Sequence, residues 1–94
     1  MPTIGEVLAS EFLVPMNISQ GALAKALGIP LNLMSDIING ERSISTDTDL
    51  RLCKYFSLTD GYFSGLQMDF ERIAAKSKLQ NELNKIIPLK AASA

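Results

Sequence analysis

Apolar residues recur along this chain at helical spacing, and no run alternates with the period of two that a half-buried strand needs. Ile4, Val7, Leu8 and Phe12 stand at i, i+3, i+4 and i+8, one apolar face, behind Thr3 and Glu6, which fit a capping box. That pattern predicts a first helix that starts after Thr3 and is stopped by Pro15. Ser19 caps a second helix, Ile18 and Leu23 are spaced as a hydrophobic staple, and Gly28 closes it where positive φ carries no Cβ penalty. A third helix runs from near Pro30 to Gly40 and turns Met34, Ile37 and Ile38 inward. It is shorter than the roughly 12–15 residues an isolated helix needs, so packing must hold it. A fourth begins at Thr46, with Asp49 in a capping-box-like position and Leu50, Cys53 and Phe56 as core residues. Asp47 and Asp49 in its first turn favour the helix dipole.

"SLTDG" then reads as a turn, with Thr59 or Asp60 as the next cap. The fifth helix carries Tyr62, Phe63, Leu66, Phe70 and Ile73. Its spacing continues through Leu79, Leu83, Ile86 and Ile87 to Pro88, with room for a break near "AAKSK". The stripe at 79–87 is the odd feature, because so small a domain has little core left to receive it. Two readings stand: the segment folds back on its own domain, or it packs on a partner, either another copy or a different protein.

The stretch "SQGALAKALGIPLNLMSDIINGERS" joins the second and third helices. Two helices meeting at a sharp turn need small residues where they cross. Ala24 lies one turn before the reversal, and Gly28 permits the backbone to turn. Leu23, Leu27, Met34 and Ile37 fill the angle, which is the helix-turn-helix pattern. It leaves Asn32, Ser35, Asp36 and Asn39 outward, on the face that lies in a DNA major groove.

Charge complicates that picture. Residues 1–65 hold four basic against seven acidic residues, a net of −3; residues 66–94 hold five against three, a net of +2. Neither part has the strongly basic balance of a typical DNA-binding domain. The chain has no histidine, which removes a catalytic His or a His-ligated metal, and no metal or cofactor is expected. There is no nucleophile–base pair and no Gly-rich phosphate loop, so an enzyme is disfavoured. The single Cys53 sits on an apolar stripe and reads as core; one thiol forms no internal disulfide and suits a reducing compartment. The N-terminus has no basic leader and no stretch is long enough to span a membrane, which makes the cytoplasm the expected location.

"SQGALAKALGIP" with "DIINGERSISTDTDLRLCKYF", flanked by "GEVLASEFLVPMNIS" and "YFSGLQMDFE", resembles the lambda-repressor-like helix-turn-helix domains. Within that group the chain is similar to the HigA-type antitoxins, the virulence-associated protein I-like regulators. The resemblance covers most of the chain. It implies an all-α, five-helix lambda-repressor-like DNA-binding domain over residues 1–75, with a C-terminal helical extension and flexible tail over 76–94. It also implies an antitoxin that neutralises a small mRNA-cleaving toxin, a HigB-like ribonuclease, and that binds double-stranded operator DNA as a homodimer to repress its own promoter.

Carried over residue by residue, Ser19 and Gln20 match the start of the motif, where the helix N-terminus and a polar side chain touch phosphate and base edge. Asn39, Gly40 and Arg42 match the end of the recognition helix and the loop after it, and Arg42 suits a backbone phosphate. Basic residues often follow the proline in this group; here Asn32 and Leu33 stand there. Asn32 suits adenine, with Ser35 as a weaker base contact. The expected DNA-binding set is therefore Ser19, Gln20, Asn32, Ser35, Asn39 and Arg42, with Arg51 and Lys54 left as solvated charges. Two other readings remain: a helix-turn-helix regulator without a toxin, and a protein–protein module that has lost DNA binding.

Overall fold

The structure, a computed structural model, describes residues 2–90. The low-complexity "AASA" end, which belongs to the expected tail, lies outside the described residues. Among the described residues every regular element is helical. The chain opens as one continuous run: α1 (Ile4–Leu8), a π-helical turn (Ala9–Leu13) and α2 (Val14–Met16). The Thr3 hydroxyl caps it, accepting the Glu6 N–H at 3.1 Å. Pro15 does not stop this run. Bonds from Val14 N–H to Ala9 O and from Ile18 N–H to Leu13 O widen the turns around it, and a ring with no N–H to place fits there. The run ends at Asn17, in the left-handed region at φ 54°, which Asn tolerates.

Three helices follow: α3 (Gln20–Leu27), α4 (Leu31–Ile38) and α5 (Thr46–Phe56). Leu23, Ala24, Leu27, Met34 and Ile37 are buried between α3, α4 and their neighbours, as the spacing predicts. The cap of α5 is Ser45, one residue before the expected Thr46; its hydroxyl accepts the Thr48 N–H at 3.2 Å. The inward face of α5 runs through Asp49, Leu52, Cys53 and Phe56. Leu50, expected in the core, is 44% exposed, and Leu52 fills the place instead.

The next helix, α6 (Tyr62–Lys78), starts on Gly61 at φ 89°, and neither Thr59 nor Asp60 caps it with a side chain. Asp49 does so from α5. Its carboxylate accepts backbone N–H groups from Gly61 (2.8 Å), Phe63 (3.0 Å) and Ser64 (2.9 Å). Asp49 is buried, so it is an anion placed at the positive end of another helix rather than a surface capping-box acid. Phe63 is fully buried and packs on Phe12 at 5.2 Å, whereas Tyr62 is partly exposed at the rim.

Beyond Phe70 every described residue is exposed. The break falls at Leu79 (φ −94°, ψ 6°), directly after "AAKSK". The last helix, α7 (Gln80–Asn84), ends before Ile87. Lys85 and Ile86 donate to carbonyls three residues back, and Ile87 precedes Pro88, which biases it away from the helix. The C-terminal segment therefore does not fold back on its own domain. It projects, giving principal extents of 53 × 24 × 22 Å and a radius of gyration of 17.0 Å. A compact chain of this length would have a radius near 12 Å.

Candidate nucleic-acid interface

Four contacts hold the α3–α4 unit in place. At the reversal Gly28 takes φ 71° and its N–H returns to Ala24 O and Lys25 O, closing α3. Arg51 of α5 donates through Nη1 to Leu27 O at 2.8 Å and through Nε to Asp47 at 2.7 Å. Rather than the solvated charge its spacing suggests, it fastens α5 to the carbonyl end of α3. On the far side of α4, α1 crosses so closely that a Cβ on Gly5 would lie 2.1 Å from Ile37 O. After α4, Gln67 of α6 grips the Ile44 backbone, accepting its N–H at 2.7 Å and donating to its carbonyl at 3.0 Å. Spacing alone names none of the last three partners, because each joins residues far apart in sequence.

On this scaffold the predicted residues fall on one side. Ser19 is the exposed cap of α3, its hydroxyl accepting the Ala22 N–H at 3.0 Å. The first N–H groups of α3 have no intrahelical acceptor, so an anion suits them. Gln20, the first residue of α3, is half-buried, and its Oε1 accepts the Ser35 hydroxyl at 3.1 Å. Asn32, Ser35, Asp36 and Asn39 are spaced i, i+3, i+4 and i+7 along one face of α4 and its C-cap. Asn32 and Asn39 are exposed; Ser35 and Asp36 are half-buried. Asn39 closes α4 with its N–H on Ser35 O, and Gly40 follows at φ 78°. Leu33 turns toward the protein and packs against the core, whereas Leu31 is exposed at the start of α4.

The structure thus brings Gln20 and Ser35 into direct contact. It also brings Arg42 to 3.8 Å from Asp36. Arg42 is the one cation in the predicted set, and both partners of the pair are solvent-accessible. Such an exposed pair is worth no more than about 1 kcal/mol, so Arg42 can leave it for a phosphate at little cost. Among the described residues no group of His, Cys, Asp and Glu is placed to hold a metal ion, and no helix is long and apolar enough to cross a membrane.

The helix-turn-helix family matches residues 10–63, which hold α3, α4 and α5. A relative named virulence-associated protein I, from Dichelobacter nodosus, is 38% identical over 91 residues, covering 95% of this chain and 83% of its own. Among solved structures, the Pseudomonas aeruginosa antitoxin HigA with its promoter is 32% identical at a TM-score of 0.85, covering 94% of this chain and 97% of that one. A second Pseudomonas aeruginosa protein, in complex with its 18-bp operator DNA, is also 32% identical, with a TM-score of 0.89 and 95% of each chain covered.

Proposed function

This chain belongs to the helix-turn-helix family, and on that premise we propose that it is the antitoxin of a toxin–antitoxin pair and binds its own operator as a dimer. The observation that carries this reading is the likeness, over nearly the whole chain, to antitoxin HigA bound to its promoter. The exposed polar face of α4, beside the α3 N-terminus, is consistent with it. Residues 1–75 form the DNA-binding unit, and residues 76–94 form an extension.

Two copies present two α4 helices about 34 Å apart to a pseudo-palindromic operator. Gln20 and Asn32 read base edges, and Ser35 acts through Gln20. Ser19, Arg42 and the α3 N-terminus hold phosphates, while Asn39 shapes the end of α4. The partner is a small mRNA-cleaving ribonuclease of the HigB type, neutralised in the cytoplasm. No residue of this chain is assigned to catalysis, a metal or a cofactor.

Co-expression with the neighbouring reading frame tests the antitoxin role. The expected result is that this protein restores growth and co-purifies with that product. Failure to restore growth, with operator binding intact, would make it a regulator without a toxin. Titration of promoter DNA at several salt concentrations tests the DNA role. Loss of a specific complex, or an affinity that ignores salt, would reject it.

A further inference from the structure

The base-reading pair Gln20 and Asn32 is polar, yet α4 opens on an apolar residue. Leu31 is the first residue of α4, directly after Pro30, and it is 54% exposed. Among the described residues from Ser19 to Gly40 it is the one large apolar side chain left open to solvent. Leu33, two residues on, packs against the core instead. We infer that Leu31 is a specificity-determining residue: it packs on the C5-methyl group of a thymine in the major groove, beside the base pair that Gln20 reads.

Its place in the fold carries this assignment. A recognition helix meets base edges with its N-terminal residues, and Leu31 is the first residue of α4. Leu31 and Ser35 stand at i and i+4, on one flank of the helix. Ser35 bonds Gln20, so Leu31 continues the row that Gln20 and Ser35 begin, one helical turn nearer the start of α4. Asn32 is exposed next to it.

Chemistry names the ligand. The first turn of α4, "LNLM", carries no charged side chain to pair with a phosphate. Leucine has neither a donor nor an acceptor for a base edge. Guanine, cytosine and adenine present only donors and acceptors in the major groove, whereas thymine adds a methyl group. Leu31 laid on a phosphate or on one of the first three bases would bury polar groups without a partner. Laid on the thymine methyl, it removes two apolar surfaces from water at once. With Asn32, which suits adenine, the start of α4 is matched to A·T pairs.

This inference rests on the operator-binding reading, and its test separates the two. Operator duplexes in which deoxyuridine replaces one thymine at a time lose only the methyl group. The O4 atom stays, so the Gln20 amide keeps any thymine acceptor it uses. The unmodified protein should lose about 4-fold in affinity at one thymine of a half-site, and about 15-fold when both half-sites are changed. Leu31→Ala exchanges an exposed residue for a good helix former, so circular dichroism and melting should match the unmodified protein. At that position the variant should bind the thymine and deoxyuridine duplexes equally. A specific complex indifferent to every thymine methyl, or a methyl preference that Leu31→Ala keeps in full, would overturn the role of Leu31 alone. A protein that forms no specific complex on any promoter duplex would overturn the operator reading and this inference with it.

Discussion

Ser35 of α4 donates its hydroxyl to Oε1 of Gln20, the first residue of α3, at 3.1 Å. The bond fixes the Gln20 amide with its oxygen engaged and its NH2 group free to donate. A Gln free to use both atoms pairs bidentately with adenine; one held this way acts mainly as a donor, to guanine O6 or N7 or to thymine O4. Gln20→Ala should therefore cost roughly 1–3 kcal/mol at one base position. Ser35→Ala removes only the orienting bond, worth about 1 kcal/mol, and should blur discrimination at that same position. Anisotropy titrations against single-base operator variants check both. Loss at two different positions would break the link between the residues.

Asp49 anchors the α6 N-terminus by three backbone N–H groups. Asp49→Ala would strand those donors in a buried site, at about 1–3 kcal/mol for an unsatisfied donor. Over the three donors a total loss of about 3–5 kcal/mol follows. Asp49→Asn keeps one acceptor oxygen and should cost clearly less. Urea melts of the two variants give the order; equal costs would show that the charge, not the acceptor geometry, holds α6.

The crossing of α1 over α4 depends on a missing side chain. At Gly5 an added Cβ would meet Ile37 O at 2.1 Å and Ile38 O at 2.7 Å, both backbone atoms that cannot swing aside. Gly5→Ala should destabilise by about 1–3 kcal/mol and should weaken operator binding, because the end of α4 must shift. Gly65, inside α6, has nothing within 4 Å of the same position, and Gly65→Ala should stabilise by about 0.5–1 kcal/mol. Thermal melts of the pair test the contrast.

These contacts mark what the sequence can and cannot reveal. Ser19, Ala24, Gly28, Met34 and Ile37 are legible because a cap, a small crossing residue, a left-handed stop and an apolar face are set by spacing within a few residues. Leu50 misleads because one apolar residue looks like another until the phase of α5 is fixed, and the buried Asp49 fixes it at 49, 52, 53 and 56. Asp49, Arg51 and Gln67 are not legible in their roles. Each meets backbone groups of another element, and backbone partners leave no signature in the side-chain pattern. The same holds for the C-terminal segment, where spacing marks the stripe at 79–87 but not the direction in which α6 carries it.

The scarcity of positive charge at the interface leads to a last prediction. Arg42 is held 3.8 Å from Asp36, on the face of α4 that also carries Asn32 and Asn39. A carboxylate there repels the DNA backbone and competes with phosphate for Arg42. Asp36→Asn removes both effects without changing the shape of the side chain, so operator binding should tighten. Each additional phosphate neutralised should steepen the slope of log K against log salt by about 0.9. The tightening should be nearly uniform across operator variants, because phosphates carry no sequence information. Arg42→Ala should do the reverse, with weaker binding and a shallower slope. If instead Asp36→Asn weakens binding at one base pair only, Asp36 is accepting from a cytosine amino group, and its place is among the base-reading residues.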